Sequence, residues 1–405
     1  MTNSTVQLPP EICAEDEQSF AAYTLRQRLP HIVEQIIHDN SYSPDVVAEL
    51  NILIAEISSG TIQSLKQSGY VDSNLWHDCL QTHVGKSWFT APFFFVEMYF
   101  YRRLGEIIGY LDLADKQEND PFRWQKRESL EQDLAAATSL ATWMEATHAD
   151  AIDSDAHALC QVLLANLWSN CADLSQIPKT EAQTQVQDNL DKLLLDDSDV
   201  IASLIPHQTK PLNRIDIVLD NTGIELISDL ALADFLIKTN LAKQVILHAK
   251  AQPVFVSDVM KHDVLLTLEA FITSDVDVLR KWGKQLKFLL EIGAIAIQDH
   301  YFWTLPLDFR SMTADLWADL QNTDLLISKG DANYRRLVGD RHWHIHTPIT
   351  QVVDYFPFPC VALRVLKSEI LVGMDGDRLK QFNLEQDWMI NGTYGIIQFV
   401  PASTN

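Results

Sequence analysis

The hydrophobic period of this chain changes near its middle, and that change limits the available folds more than any single motif does. From about Asp16 to Leu195 apolar residues recur at helical spacing, as in VVAELNILIAEI from Val46 to Ile57, with few runs of alternating β-branched residues. The charged stretch Asp191 to Asp199 then leads into PHQTKP, where Pro206 and Pro211 disfavour a continuing helix. Beyond it, short apolar runs alternate with helical ones: IDIVL at 215–219, QVILHA at 244–249, DLLIS at 324–328, VALRVL at 361–366 and YGIIQFV at 394–400. That alternation predicts a parallel sheet covered by helices. We therefore expect a helical N-terminal domain over residues 1–205 and an α/β domain over 206–405, two packing units in a chain of 405 residues.

Charge narrows the partners. With 31 basic and 55 acidic residues the formal charge is -24, a field that repels nucleic acid and anionic lipid surfaces. Neither is an expected partner. A small phosphorylated substrate stays compatible, because a few cations in a cleft outweigh distant, screened surface charge. Cys13, Cys79, Cys160, Cys171 and Cys360 form no C-x-x-C pair, and we expect them to act as small apolar core residues in a reducing cytoplasm. The start, MTNSTVQLPPEICAEDEQ, has no basic region followed by an apolar core, so no targeting segment is expected. Asn3-Ser4-Thr5 and Asn391-Gly392-Thr393 fit a glycosylation pattern that has no meaning without secretion. FTAPFFFVEMYFY, from Phe89 to Tyr101, is shorter than the roughly 20 residues of a membrane span and contains Pro92 and Glu97; it predicts a buried helix.

In an open α/β sheet ligands bind beyond the carboxyl ends of the strands, and Asp220-Asn221 falls where IDIVL ends. An anionic and a neutral oxygen there suit a hard divalent cation; the alternative is that Asp220 or Asn221 caps the following helix. Gly223 allows a tight turn, and Glu225 lies in the first helical turn, where the helix dipole favours negative charge. PVFVSDVM places Asp258 after another apolar run, Val254–Val256, so two strand-end acids could share one ion; Asp258 alone could equally cap a helix.

Two further segments carry cations. SKGDANYRRLVGD, Ser328 to Asp340, gathers Lys329, Asp331, Asn333, Tyr334 and Arg335 around Gly330 after a strand. It has the composition of an anion pocket in which Arg335 could grip phosphate with two hydrogen bonds; a helix start with a solvated basic face is the plainer reading. VALRVLK sets Arg364 and Lys367 in a segment that otherwise reads as buried, so they need anionic partners from a ligand or from the protein.

Together DNTGIELISDLALADFL, PVFVSDV, KGDANYRRLVGDRHW and LRVLKSEILVG resemble the metal-dependent damage-control phosphatases, in their sugar-phosphate phosphatase branch, also named acidic-residue or protein-glutamate O-methyltransferase. The likeness extends through WFTAPFFFVEMYFYRRL and DPFRWQK, from about Trp88 to Val400. It implies a Rossmann-like, three-layer α/β/α domain beside a mainly helical N-terminal domain. It also implies metal ligands at Asp220, Asn221 and Asp258, with Lys367 joining them in catalysis, and a cofactor that is Mn2+, Mg2+, Co2+ or Ni2+. The implied substrate contacts are Glu225, Asp331, Ala332, Asn333, Tyr334, Arg335, Arg364 and Lys367. Val365 replaces the threonine of the branch's Arg-Thr-x-Lys motif, which bears on substrate preference more than on metal binding; Ala332 stands where a bulkier apolar residue is usual, a milder departure. The implied reaction is hydrolysis of a sugar phosphomonoester such as fructose 1-phosphate or fructose 6-phosphate.

Two rival readings come from other classes. S-adenosylmethionine-dependent carboxyl methyl transfer would need a glycine-rich turn that this chain lacks, Gly223 being the turn's one glycine. A non-catalytic metal-binding protein would use the same acids without turnover. His342, His344 and His346 alternate in RHWHIHT but have no acidic or thiol partner nearby and read as surface residues. Glu97, Arg102 and Arg103 stand in an apolar helix, where salt bridges are the expected role and a reach toward the cleft the alternative.

Overall fold

The computed structural model describes residues 6–66, 69–112, 118–150, 155–169, 190–204, 211–382 and 384–403. The helical half contains α1 (Leu29–Asp39), α2 (Pro44–Ser59), α3 (Phe93–Ile107), α4 (Arg123–Asp150) and α5 (Asp155–Leu167). Helix α3 is the buried helix expected of FTAPFFFVEMYFY, but it begins at Phe93, after Pro92, and runs on to Ile107; its aromatic side chains are enclosed on nearly every side. No helix among the described residues is long and apolar enough to cross a membrane.

Seven strands form one sheet in the order β1-β7-β6-β5-β2-β3-β4, with β1 at Leu193–Asp196, β2 at Ile215–Val218, β3 at Val245–Lys250, β4 at Ile295–His300, β5 at Leu325–Lys329, β6 at Cys360–Val365 and β7 at Gly395–Val400. All five expected strands are present, and β1 and β4 are additional. The sheet is mixed where a parallel one was expected, since β7 runs antiparallel to β6. Strand β1, which precedes the expected boundary, adds to the sheet edge parallel to β7. The boundary at Pro206 itself lies outside the described residues, as does Cys171. Cys360 is buried as expected of a core thiol, whereas Cys13, Cys79 and Cys160 are only half-buried.

Helices α6 (Ile224–Lys238), α7 (Lys261–Ile272) and α8 (Asp277–Glu291) make the crossovers from β2 to β3 and from β3 to β4. They share a core with α4, α5 and the sheet side chains Ile215, Ile217, Val245 and Leu247. The opposite face, through Val218, Leu326 and Ala362, packs with α3 and with α9 (Gly330–Val338). The result is the expected three-layer α/β/α arrangement with helical additions from the first half.

Topology places the site. The chain leaves β2 toward β3 on one side, while β5 pairs with β2 on the other. The carboxyl ends of β2 and β5 therefore flank the crevice where strand order reverses, the position at which open α/β sheets take ligands.

Candidate functional site

Asp220 and Asn221 follow β2 directly, and Asp258 arrives by a different route from the one expected. The run Val254–Val256 is not a strand; Phe255 and Val256 adopt left-handed backbone, with φ of 49° and 69°. Lys250 N donates to Val259 O at 2.8 Å, Val259 N to Asp220 O at 2.8 Å and Thr222 N to Ser257 O at 2.7 Å. These bonds fold the loop back so that Asn221 and Asp258 form an antiparallel bridge. Consecutive positive φ at a bulky and a β-branched residue costs on the order of 1–3 kcal/mol each, strain held by those three hydrogen bonds.

None of the three residues caps a helix. Helix α6 begins after Gly223, and its first free amide, Ile224 N, donates to Asp133 Oδ2 of α4 at 2.8 Å. A β-carbon at Gly223 would sit 2.6 Å from that same oxygen and overlap Ser129, so only glycine lets α4 close on this turn. At α7 the reciprocal bonding is between Met260 and Asp263, leaving Asp258 out of the cap.

The carboxyl of Asp220 is buried. Burial, then Glu225 and Asp258, push its pKa well above the ordinary carboxylate value, with Lys250 and Lys367 opposing. Burial likewise raises Asp258, against the pull of Lys250. Lys250 Nζ is 3.3 Å from Asp258 Oδ2, an ion pair without hydrogen-bond geometry, and donates to Leu219 O at 2.8 Å. Gly330, at φ 80°, lies where a β-carbon would overlap the Asp220 carboxylate, so the backbone leaves this acid unobstructed. The crowded, under-compensated carboxylates of Asp220 and Asp258 offer oxygens that fit a hard divalent cation, and the Asn221 carboxamide would add its oxygen by turning it from Ser257. Asn221 also accepts from Ser257 Oγ at 2.7 Å, and its Nδ2 donates to Asp220 Oδ2 at 3.0 Å and Glu225 Oε1 at 3.1 Å.

A cleft of about 300 Å³ opens over these residues. The α/β half lines it with Asp220, Asn221, Asp258, Asp331, Ala332, Arg335 and Lys367; the helical half adds Arg28, Glu97, Lys126 and Ser129. A smaller cavity of about 130 Å³ shares Asp220, Asp331 and Lys367 and adds Glu225, Gly330 and Val365. Glu225 thus faces the smaller cavity, and the exposed Lys367 borders both.

Four expected contacts have other occupations. Arg364 is fully buried and lines neither cavity: Nε donates to Asp331 Oδ1 at 2.8 Å, Nη1 to Ile370 O at 2.5 Å and Nη2 to Ser368 Oγ at 2.9 Å. Asn333 is buried and donates to Lys329 O at 2.8 Å and Leu219 O at 3.2 Å, tying β5 to the end of β2. Tyr334 lies beneath Arg364, 4.3 Å from its guanidinium carbon to the ring centre, with its hydroxyl donating to Gln398 at 3.1 Å. Arg335 does reach the cleft, but its expected fork is already engaged: Nη1 donates to Glu97 at 2.6 Å, and Nε and Nη2 to Asp340 at 2.7 and 3.0 Å. Glu97 is both a salt-bridge partner and a cleft residue.

Asp331 accepts from Arg364, from Lys367 N at 3.0 Å and from Ser368 Oγ at 3.0 Å. Burial alone would raise its pKa; Arg364, Arg335 and these hydrogen bonds outweigh it and hold the group below the usual range. Asp331 is therefore a fixed anion that sets the loop carrying Lys367.

Sequence reasoning missed Arg28, Lys126, Asp133 and Lys250. Lys126 donates to Asp263 at 2.8 Å and pairs with Asp120 at 3.0 Å. Asp263 and Ile224, which bond Lys126 and Asp133, lie far along the chain; Asp120 and Asp258 lie within eight residues of Lys126 and Lys250, but at spacings that no regular helix or strand brings together. Two acid-histidine groups have metal-like spacing, Asp120-His262-Asp263 and Asp216-His248-Asp319, but Lys126 and Arg214 already provide a cation in each. His342, His344 and His346 belong to neither; His346 Nδ1 lies 2.7 Å from Met374 O. Arg102 pairs with Asp72 at 2.8 Å and Arg103 with Glu56 at 3.1 Å, the salt bridges expected.

Comparison with known proteins supplies the family. Residues 24–381 match the model of the damage-control phosphatase ARMT1-like domain. Damage-control phosphatase ARMT1 of Danio rerio is 32% identical, with the match covering 97% of each chain. The protein of that name from Homo sapiens is 31% identical over 97% of this chain and 98% of its own. A DUF89-family protein from Pyrococcus horikoshii, known from a crystal structure, has a TM-score of 0.51 at 15% identity, covering 96% of this chain and 99% of that one; that likeness bears on fold alone.

Proposed function

Since the chain belongs to the damage-control phosphatase ARMT1-like family, we propose that it is a metal-dependent phosphatase hydrolysing sugar phosphomonoesters, with fructose 1-phosphate and fructose 6-phosphate as first candidates. The observation that carries the reading is the convergence of Asp220, Asn221, Asp258 and Lys367 on one cleft at the carboxyl ends of β2, β3 and β6.

Asp220, Asn221 and Asp258 would hold the cation, which when bound supplies Lewis-acid stabilisation of phosphoryl charge. The protein's own groups do the rest. Lys367, at the tip of a loop pinned through its backbone N–H to Asp331, places an ammonium where the ester's negative charge accumulates. Asp331, held ionised by Arg364, offers an acceptor to a sugar hydroxyl, and Glu225 offers another from the smaller cavity. Arg335 keeps two of its five N–H groups for ligand while Glu97 and Asp340 fix its plane. Val365 gives the smaller cavity an apolar wall, which favours a carbon face of the substrate over a hydroxyl there.

Carboxyl methyl transfer is less well supported, because the space around Gly223, where a nucleotide cofactor would approach backbone, is filled by Ser129 and Asp133. The deciding experiment is phosphate release from a panel of sugar phosphates with Mn2+, Mg2+, Co2+ or Ni2+, with and without chelator. Release that requires metal and disappears in Asp220→Ala supports the reading. No release from any substrate, or release indifferent to Asp220→Ala, rejects it.

A further inference from the structure

The cleft has a cationic roof as well as an acidic floor, and the cations differ in how far the protein already engages them. Lys126 is held by Asp120 and Asp263. Arg335 spends three N–H groups on Glu97 and Asp340. Arg28 also lines the cleft, and among the described residues its side chain has no ion pair or hydrogen bond.

The backbone that presents Arg28 is unusual. Thr24–Arg28 is a π-helical turn between the short helix Phe20–Tyr23 and α1, with Leu29 N donating to Thr24 O five residues back. Such a turn inserts one residue into the helix and is found preferentially at functional sites. Continuing as a regular helix would rotate residues on one side of the turn relative to the other by about 100°, one residue's step. Leu25 and Leu29 are both buried against the core while Arg28 is exposed on the cleft side. The π turn resets the register between the helix Phe20–Tyr23 and α1, and Arg28, its last residue, emerges along the cleft.

A guanidinium with an open fork, facing a cleft whose floor is fitted for a cation, matches the oxygens of a phosphate monoester. We propose that Arg28 is a substrate-binding residue that donates to an anionic oxygen of the bound phosphomonoester, so that the helical half contributes a ligand contact and not only a wall. This assignment rests on the phosphatase reading above and adds to it the group that recruits the anion. It also explains how a chain of formal charge -24 admits an anionic substrate between Asp220, Asp258 and Glu97: local cation density at the mouth outweighs the screened surface.

The test compares the unmodified protein with Arg28→Gln and Arg28→Lys. It measures KM and kcat for the best sugar phosphate, the inhibition constant of inorganic phosphate in the presence of Mn2+, and the thermal shift given by Mn2+ alone. Loss of a charge-assisted hydrogen bond predicts that Arg28→Gln raises both KM and the phosphate inhibition constant by about tenfold to a hundredfold. Arg28→Lys should fall between Gln and Arg, because an ammonium keeps the charge but not the fork. The Mn2+ shift should stay unchanged. An Arg28→Gln protein with unaltered KM and phosphate inhibition overturns the assignment while leaving the phosphatase reading intact. A reduced Mn2+ shift in that variant also overturns it, by showing a structural effect on the metal set. Absence of turnover and of phosphate binding in the unmodified protein would instead reject the phosphatase reading and this inference with it.

Discussion

Gly330 and Asp220 meet so closely across the β2–β5 crevice that a single added carbon at residue 330 would overlap the carboxylate. The first residue of α9 is thus a glycine for two reasons: its φ of 80° disfavours other residues, and Asp220 occupies the space in which any side chain would begin. Close approach between the ends of two adjacent strands keeps the acid in place without a covering side chain.

Gly330→Ala should therefore displace Asp220 and cost far more function than stability. We expect phosphatase activity to fall by about a hundredfold or more, because sub-ångström placement governs such sites. Gly293→Ala is the control: its φ is 73° but its surroundings are open, so it should lose only about 1 kcal/mol and retain activity. Parallel assays and urea unfolding of the two variants separate strain from obstruction.

Asp331 should contribute stability with a definite pH dependence. Its folded pKa is held below the ordinary value of 3.8 despite burial, chiefly by Arg364. A depressed carboxyl stabilises the fold above the unfolded pKa, and that contribution is lost as pH falls through the folded value. Asp331→Asn also leaves the fully buried Arg364 without its anion, a loss of about 3–5 kcal/mol at pH 7. Denaturant unfolding should show this gap at pH 7 and 5 and a narrowing below about pH 4; a gap that widens on acidification would contradict the assignment.

How much of this site the sequence carries depends on where each residue's partner lies. Asp220, Asn221 and Lys367 sit at the ends of strands buried on both faces, whose apolar runs are unmistakable. Strand β1 is four residues inside the charged run DKLLLDDSDV, and β4 ends in Gln298, Asp299 and His300 with partly exposed side chains; neither looks like a buried strand. The antiparallel direction of β7 is set by how the chain returns after β6, which no apolar run encodes. Arg364 and Lys367 are three residues apart, yet one is sealed inside and the other borders both cavities. Loop geometry decides that, and so does the distant Asp331. Lys250, Lys126 and Arg28 are single cations in unremarkable sequence, identified only by what the fold brings against them.

Removing charge at the proposed metal ligands should reverse the usual sign of a core mutation. Asp220 has a raised folded pKa, from burial and then Glu225 and Asp258. A carboxyl so raised favours the fold below its unfolded pKa and opposes it once pH passes the folded value. At pH 8 Asp220→Asn should raise the melting temperature of chelator-treated protein, by about 1 °C per kcal/mol recovered in a chain of this length. The same variant should lose most of the melting-temperature increase that millimolar Mn2+ gives the unmodified protein, since ligand binding stabilises only a state that binds. A destabilised apo variant, or one that keeps the full Mn2+ shift, would remove Asp220 from the metal set.

The left-handed pair Phe255-Val256 yields the last prediction. Val256 is β-branched and partly buried, and lies two residues before Asp258 at φ 69°. Elsewhere a Val→Gly change costs both lost packing and the backbone entropy of glycine, about 0.5–1 kcal/mol for the latter. Here glycine also releases the strain of a left-handed valine, on the order of 1–3 kcal/mol, so the opposing terms nearly cancel. Val256→Gly should unfold within about 1 kcal/mol of the unmodified protein. Activity should respond differently, because the freed loop no longer fixes Asp258 beside Asn221: we expect weaker Mn2+ binding and a kcat reduced by about tenfold. Val256→Ala, which keeps the strain and loses methyl groups, should be less stable than Val256→Gly, the reverse of the ordinary ranking. If alanine is the more stable substitution, the loop is not strained in solution, and the three hydrogen bonds from Lys250, Val259 and Thr222 would not be needed to hold Asp258 in place.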